Sequence, residues 1–228
     1  MVFTVAAGED PESRSAISMK FSRHFFAVLF CTVLAANPTV AFADKTMPTI
    51  MVLGDSLSAA YGIDRDKGWV ALLRKRLVQK GYRYQVVNAS VSGDTTRTGL
   101  GRLDAALATH RPEIVIVELG ANDGLRGLPF NEIESSLVSI IAKSQETGAR
   151  VLLVGVRLPP NYGEAYNREF LEIYHKLAGR FRIPLVPKML DQVSDYRNLL
   201  QEDGMHPIAK AEPRVLDNIW VKLQPMLK

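Results

Sequence analysis

The chain is poor in the side chains that support disulfide, thiolate and metal chemistry. Its 228 residues include one cysteine, Cys31, and four histidines. A single cysteine excludes an intramolecular disulfide, and no His-x-x-x-His pair or histidine cluster indicates a bound metal. We therefore expect no metal and no cofactor.

Two common signature segments are also missing. No Gly-x-Ser-x-Gly segment occurs, which argues against the nucleophile elbow of an α/β-hydrolase. Gly99 and Gly101 begin a dinucleotide-binding pattern, but Asp104 stands where the third glycine is needed and the segment is helical in pattern. No internal repeat or linker divides the remainder into further domains.

The first 43 residues have the order of a secretory signal. Lys20 and Arg23 precede an apolar run at residues 25–36, and Ala41-Phe42-Ala43 is a small-x-small cleavage site. Twelve apolar residues are too few for the ~20 of a membrane-spanning helix. We expect an upstream extension and signal peptide at residues 1–43, a periplasmic or secreted product after cleavage near Ala43, and one domain at residues 44–228.

The charge pattern argues against nucleic acid as a partner. The net charge is only +4, and the densest basic run, Arg74-Lys75-Arg76, falls in an amphipathic segment where it is typical of a solvated helix face. We expect a monomer that has no stable membrane insertion.

Short apolar runs alternate with amphipathic segments throughout residues 44–228. Strands are predicted at 49–53, 85–88, 114–119, 151–156 and 185–186, and helices at 69–80, 96–108, 131–147, 164–181 and 208–226. Pro213 and Pro225 weaken the last helix as one unbroken element. The alternation predicts an α/β fold with three α/β/α layers around a five-stranded, doubly wound parallel sheet.

A serine follows the first predicted strand, in the segment Gly54-Asp55-Ser56-Leu57-Ser58. At that position its hydroxyl can face a cleft, with backbone N–H groups nearby to receive negative charge. Ser56 is therefore a candidate nucleophile. The alternative is that it only caps a helix beginning directly after it.

A serine nucleophile needs a base within hydrogen-bond reach. Of the histidines beyond residue 43, His110 falls at a helix end and His175 within a helix, whereas His206 falls on a loop after the last strand. Asp203 lies three residues earlier, separated by Gly204, and can orient the imidazole. Ser56, Asp203 and His206 are the predicted catalytic triad. The alternative for residues 203–204 is a simple turn.

Two further blocks, Ser92-Gly93-Asp94 and Gly120-Ala121-Asn122-Asp123, follow the second and third strands. Together with the serine and histidine blocks they resemble the SGNH (GDSL) hydrolase family, especially its bacterial thioesterase/lysophospholipase/arylesterase members. The resemblance covers nearly all of residues 44–228 and implies a flavodoxin-like strand order, 2-1-3-4-5.

The resemblance also implies an oxyanion hole. Its donors would be the Ser56 and Gly93 backbone N–H groups and the Asn122 side chain, where the alternatives are a turn glycine and a helix-capping asparagine. The adjacent Asp55, Asp94 and Asp123 are expected to bond nearby loop backbone.

Two apolar-basic loops follow the third and fourth strands, at residues 125–129 and 157–163. Leu125, Leu128 and Leu158 are predicted to contact an acyl chain, unless these loops are only well-packed turns. The predicted partners are small acyl-ester or lipid substrates. The predicted function is an exported serine esterase that hydrolyses acyl esters and thioesters (aryl esters, acyl-CoA and lysophospholipids) through an acyl-enzyme on Ser56. The alternatives are a carbohydrate O-deacetylase on the same fold and a non-catalytic lipid-binding module.

Overall fold

The computed structural model describes residues 47–228. The predicted signal peptide, its cleavage site and Cys31 lie outside these residues. Within the part described, no helix is both long and apolar enough to cross a membrane.

Five parallel strands form one sheet in the order β2-β1-β3-β4-β5. Their bounds are Thr49–Gly54 (β1), Gln85–Asn88 (β2), Ile114–Glu118 (β3), Arg150–Val154 (β4) and Leu185–Val186 (β5). Every residue of β1 and β3 is buried, because helices cover both faces of the sheet. The predicted α/β fold and its strand order are confirmed.

Six α-helices connect or follow these strands. They are α1 (Trp69–Gln79), α2 (Thr96–His110), α3 (Ala121–Leu125), α4 (Phe130–Glu146), α5 (Glu164–Phe181) and α6 (Glu212–Leu223). Helix α1 packs on α6, whereas α4 packs between α2 and α5. These two groups form the outer layers, and the apolar core fills the space between each layer and the sheet.

The structure excludes the helix-cap alternative for Ser56 and corrects the predicted start of the last helix. No helix directly follows Ser56, because residues 56–62 form successive turns and the first α-helix begins only at Trp69. Ser56 is therefore not a helix cap. The last helix begins at Glu212 rather than at residue 208, with Pro213 in its first turn, where a missing N–H costs no hydrogen bond.

The register of the sheet places the site residues on one edge. Gly54 at the end of β1 pairs with Glu118 at the end of β3, so the loops after these strands leave the sheet at the same level. Ser56 lies on the loop after β1, and Asn122 lies in the first turn of α3, which directly follows the loop after β3. As expected for an open α/β sheet, the carboxyl ends of the strands carry the polar blocks.

Candidate active site

Ser56, His206 and Asp203 form a continuous hydrogen-bonded chain. The Ser56 Oγ lies 2.7 Å from His206 Nε2, and His206 Nδ1 lies 2.6 Å from Asp203 Oδ2. Asp203 Oδ1 also accepts the backbone N–H groups of Met205 at 2.8 Å and His206 at 3.0 Å. Gly204 has a φ of +71°, which lets the chain fold back so that a carboxylate three residues before the histidine reaches its ring.

The hydrogen bonds to Asp203 fix its charge and the tautomer of the histidine. Partial burial raises the pKa of Asp203, but the bonds from the backbone of His206 and Met205 and from the His206 ring outweigh it and hold the pKa below its ordinary value. An ionised Asp203 accepts a hydrogen bond from the Nδ1–H group of His206. Nε2 is then the nitrogen that can accept a proton from Ser56.

Asp55 shapes the turn that presents Ser56. Its Oδ1 accepts the Leu57 N–H at 3.0 Å, and the residue is fully buried. Glu118, at the end of β3, accepts the Ser58 hydroxyl at 2.6 Å and the Asp55 N–H at 3.4 Å. The end of the neighbouring strand therefore anchors the loop on both sides of Ser56.

Two buried carboxyl groups thus lie directly behind the serine. Burial raises the pKa of Asp55 to about 6. Burial, and then the nearby charge of Asp55, raise the pKa of Glu118 well above its ordinary value. Sequence reasoning missed Glu118. The available signal was a carboxylate ending an otherwise apolar strand, at the edge where the site blocks meet.

The Asn122 amide nitrogen points at the same region as Ser56. It donates to the Asp94 carbonyl at 2.9 Å and to Asp55 Oδ2 at 3.2 Å. Because both partners are acceptors, they select the orientation in which the NH₂ group, rather than the carbonyl oxygen, occupies this position. The backbone N–H groups of Ser56 and Gly93 donate to no residue within 47–228, so neither is engaged elsewhere in the described chain.

The other two aspartates tie the neighbouring loops together. Asp94 forms an ion pair with Arg102 at 2.6 Å, and Arg102 also donates to the Gly54 carbonyl at 3.3 Å. Asp123 accepts the Thr96 N–H at 2.9 Å and the Thr96 hydroxyl at 2.6 Å. Asp55 and Asp123 accept backbone N–H groups as predicted. The prediction is wrong for Asp94, because within residues 47–228 its carboxylate bonds only the side chain of Arg102.

A cavity of about 170 Å³ opens beside Ser56, Asn122 and His206. Its apolar lining consists of Leu57, Ala121, Leu125, Val156, Leu158, Pro159, Pro160, Leu190 and Met205. Of the three leucines predicted to contact substrate, Leu125 and Leu158 line this cavity and Leu128 does not. The contribution of Leu190, Ser194 and Asp195, which follow β5, was missed because the segment carries no recognisable motif.

Hydrogen bonds fix the two loops that supply these leucines. The Tyr162 hydroxyl donates to the Leu125 carbonyl at 2.8 Å, and the Leu158 N–H donates to Asn167 Oδ1 at 2.8 Å. The loops after β3 and β4 are therefore held against each other and against α5. An apolar ligand group would meet a largely formed wall there.

Comparison with known proteins identifies the family of the chain. Residues 52–212 match the model of the GDSL-like Lipase/Acylhydrolase family. The chain belongs to this family. It is a hydrolase that acts on ester bonds.

Relatives of this GDSL-like hydrolase include esterases from bacteria. Esterase TesA of Pseudomonas aeruginosa is 49% identical over 179 residues, which cover 78% of this chain and 89% of that protein. The arylesterase of Vibrio mimicus is 42% identical over 181 residues, covering 79% of this chain and 90% of the relative. Thioesterase 1/protease 1/lysophospholipase L1 of Escherichia coli K12 is 42% identical over 188 residues, which cover 82% of this chain and 89% of the relative.

Solved structures agree with the fold of the chain. A crystal structure of TesA superposes with a TM-score of 0.77 at 49% identity, covering 78% of this chain and 99% of that one. The esterase EstA from Pseudoalteromonas sp., in a structure inhibited by monoethylphosphonate, gives a TM-score of 0.74 at 36% identity. The match covers 78% of this chain and 97% of EstA.

Proposed function

We propose that the protein is an exported serine esterase that hydrolyses acyl esters and thioesters through an acyl-enzyme on Ser56. The observation that carries this proposal is the hydrogen-bonded chain from Ser56 Oγ through His206 to Asp203, at 2.7 and 2.6 Å. Such a chain activates an otherwise weak nucleophile. Export is inferred from the order of basic, apolar and small residues within positions 20–43.

In the proposed acylation step, His206 Nε2 takes the Ser56 proton as Oγ attacks the ester carbonyl. The tetrahedral oxyanion would accept hydrogen bonds from the free N–H groups of Ser56 and Gly93 and from the Asn122 amide. The imidazolium, held by Asp203, then protonates the leaving alcohol or thiol as the carbonyl–heteroatom bond breaks. Water, activated by the same imidazole, attacks the acyl-enzyme and releases the acid and Ser56.

The substrate classes that we propose are aryl esters, acyl-CoA and lysophospholipids. They are supported by the apolar lining of the cavity beside Ser56, which can cover an acyl chain. The names of the relatives, an arylesterase and a thioesterase/lysophospholipase, support the same range. A carbohydrate O-deacetylase would need polar groups where Leu125 and Leu158 lie, and a non-catalytic binding module would not need the triad.

Covalent labelling and three variants test the mechanism. A fluorophosphonate should modify wild-type protein once, on Ser56. Ser56→Ala should abolish labelling, and both it and His206→Ala should lower kcat by roughly 10⁴–10⁶. Asn122→Ala should lower kcat by only about 10²–10³, because two backbone donors remain.

Ser139→Ala is the matched control, since this serine lies on α4 and its hydroxyl bonds only the carbonyl of Ser135 within residues 47–228. It should keep full activity and full labelling. Folded Ser56→Ala protein that retained more than a few per cent of wild-type activity would overturn the assignment of the nucleophile.

A further inference from the structure

An exposed tyrosine covers one face of the candidate catalytic histidine. The rings of Tyr61 and His206 have centroids 4.6 Å apart, with an interplanar angle of 41°. Tyr61 is nevertheless 53% exposed. Its hydroxyl forms no hydrogen bond to any residue within 47–228, so the aromatic ring is the part of this side chain that has contacts.

The backbone of Tyr61 is held from both sides of the site. Its N–H donates to the Ser56 carbonyl at 3.2 Å, and its own carbonyl accepts from Gln201 Nε2 at 2.8 Å. Gln201 also holds the loop that carries His206, because the backbone N–H of Gln201 donates to the His206 carbonyl at 2.8 Å. Ala60, just before Tyr61, has a φ of +60°, a strained value for a residue other than glycine.

These bonds tie the backbone of Tyr61 to both loops of the site. Strained backbone persists only where surrounding contacts impose it, and it concentrates at functional sites. The backbone of Tyr61 is thus held beside the site, and its ring lies against His206 while about half of the residue stays open to solvent.

The position of Tyr61 relative to the cavity indicates which part of a substrate it meets. Ser56 and His206 line the apolar cavity, but Tyr61 does not. When an acyl chain occupies that cavity, the leaving group, which is the other substituent of the carbonyl, lies outside the cavity. The leaving oxygen must also approach His206 Nε2 to receive its proton, and Tyr61 is the aromatic ring stacked on that imidazole.

We propose that Tyr61 forms a leaving-group subsite that favours esters of aromatic alcohols. This inference rests on the proposed acyl transfer to Ser56. An aryl leaving group beside His206 would contact the open part of the Tyr61 ring in an edge-to-face or offset geometry, which alkyl alcohols cannot reproduce. Tyr61 is therefore a specificity residue for the alcohol side, opposite to the leucines of the acyl side.

Two esters with the same acyl group test the subsite. Phenyl butyrate and trifluoroethyl butyrate both have activated leaving groups and give the same butyryl-enzyme, so the ratio of their kcat/KM values reports acylation only. Tyr61→Leu should lower this aryl-to-alkyl ratio by about threefold to tenfold, the range expected for one aromatic pair. Tyr61→Phe should keep the ratio, because the hydroxyl bonds nothing in the described chain.

Tyr196→Leu is the matched control. Tyr196 is 56% exposed and lines no part of the cavity, so its replacement should leave both kcat/KM values unchanged. An unchanged ratio in folded Tyr61→Leu protein would overturn the proposal. An equal loss for both esters would also overturn it, since it would mean that the ring only positions His206. If Ser56→Ala still hydrolysed both esters, the proposed function itself would fail, whatever the ratio.

Discussion

Ionisation of the buried Glu212 should lower the stability of the folded chain as the pH rises. The carboxyl group lies at the start of α6, is 2% exposed, and accepts the Trp69 N–H at 2.8 Å. Trp69 opens α1, where Gly68 supplies no capping side chain. Burial raises the pKa of Glu212 from 4.5 to about 7, because a single hydrogen bond does not replace the lost hydration of the carboxylate.

The sign and the size of the effect follow from these two pKa values. Below pH 4.5 the group is protonated in both the folded and the unfolded chain. As the pH rises towards 7, the unfolded chain releases its proton first, so unfolding becomes more favourable. Each pKa unit corresponds to about 1.4 kcal/mol, and ionisation of Glu212 should cost the folded state about 3 kcal/mol above pH 7.

The variant Glu212→Gln isolates this contribution. Glutamine keeps an oxygen that can accept the Trp69 N–H but cannot ionise. The unfolding free energy of wild type minus that of the variant should therefore fall by about 3 kcal/mol between pH 4.5 and pH 8. Asp55 and Glu118 also have raised pKa values, but they titrate in both proteins and cancel in this difference.

Urea unfolding provides the measurement. Both tryptophans of the chain, Trp69 and Trp220, lie on the packed helices α1 and α6, so their fluorescence follows the loss of this contact. Transitions are recorded at several pH values, with the slope against urea checked for equality between the two proteins. A free-energy difference that stays constant within about 1 kcal/mol across this range would refute the argument.

Two further predictions concern catalysis. Asp203→Asn should lower kcat by about 10³–10⁴, because an amide facing Nδ1 favours the wrong imidazole tautomer; a loss below about tenfold in folded protein, measured with a butyrate ester, would contradict the role of Asp203. Wild-type kcat/KM should rise from acetyl to octanoyl esters by up to about fourfold per buried CH₂, and Leu158→Ser should flatten the rise while sparing acetyl esters. A strong native preference for acetyl over octanoyl esters would instead favour the O-deacetylase alternative.

The sheet could be predicted from the sequence because its central strands are covered on both faces. Runs such as Ile114–Glu118 are continuously apolar up to their last residue and are bounded by proline, glycine or charged residues. Their observed ends differ from prediction by at most two residues. The strand order was available only through the family resemblance, since short apolar runs specify burial but not which strand lies beside which.

The segment after Ser56 could not be predicted because distant side chains decide its conformation. Its leucine and alanines are compatible with a helix. The Ser58 carbonyl, however, accepts from Asn88 at 2.8 Å, a bond from the end of β2 that removes an acceptor a helix would use. Asp55 Oδ1 binds the Leu57 N–H and favours a turn. The Asp55 bond is local, but the Asn88 bond spans 30 residues and therefore leaves no local pattern.

Asn122 could be identified from the sequence, but the orientation of its amide could not. The sequence identified an asparagine at the end of the third strand, but the direction of its amide depends on Asp94 and Asp55, from two other loops. Asp55 is itself held by Glu118, whose raised pKa limits the negative charge that accumulates behind the serine. A site that stabilises an oxyanion needs donors near Ser56 and little competing negative charge. Burial of this carboxyl pair at the strand ends therefore links the core of the sheet to the electrostatics of the proposed reaction.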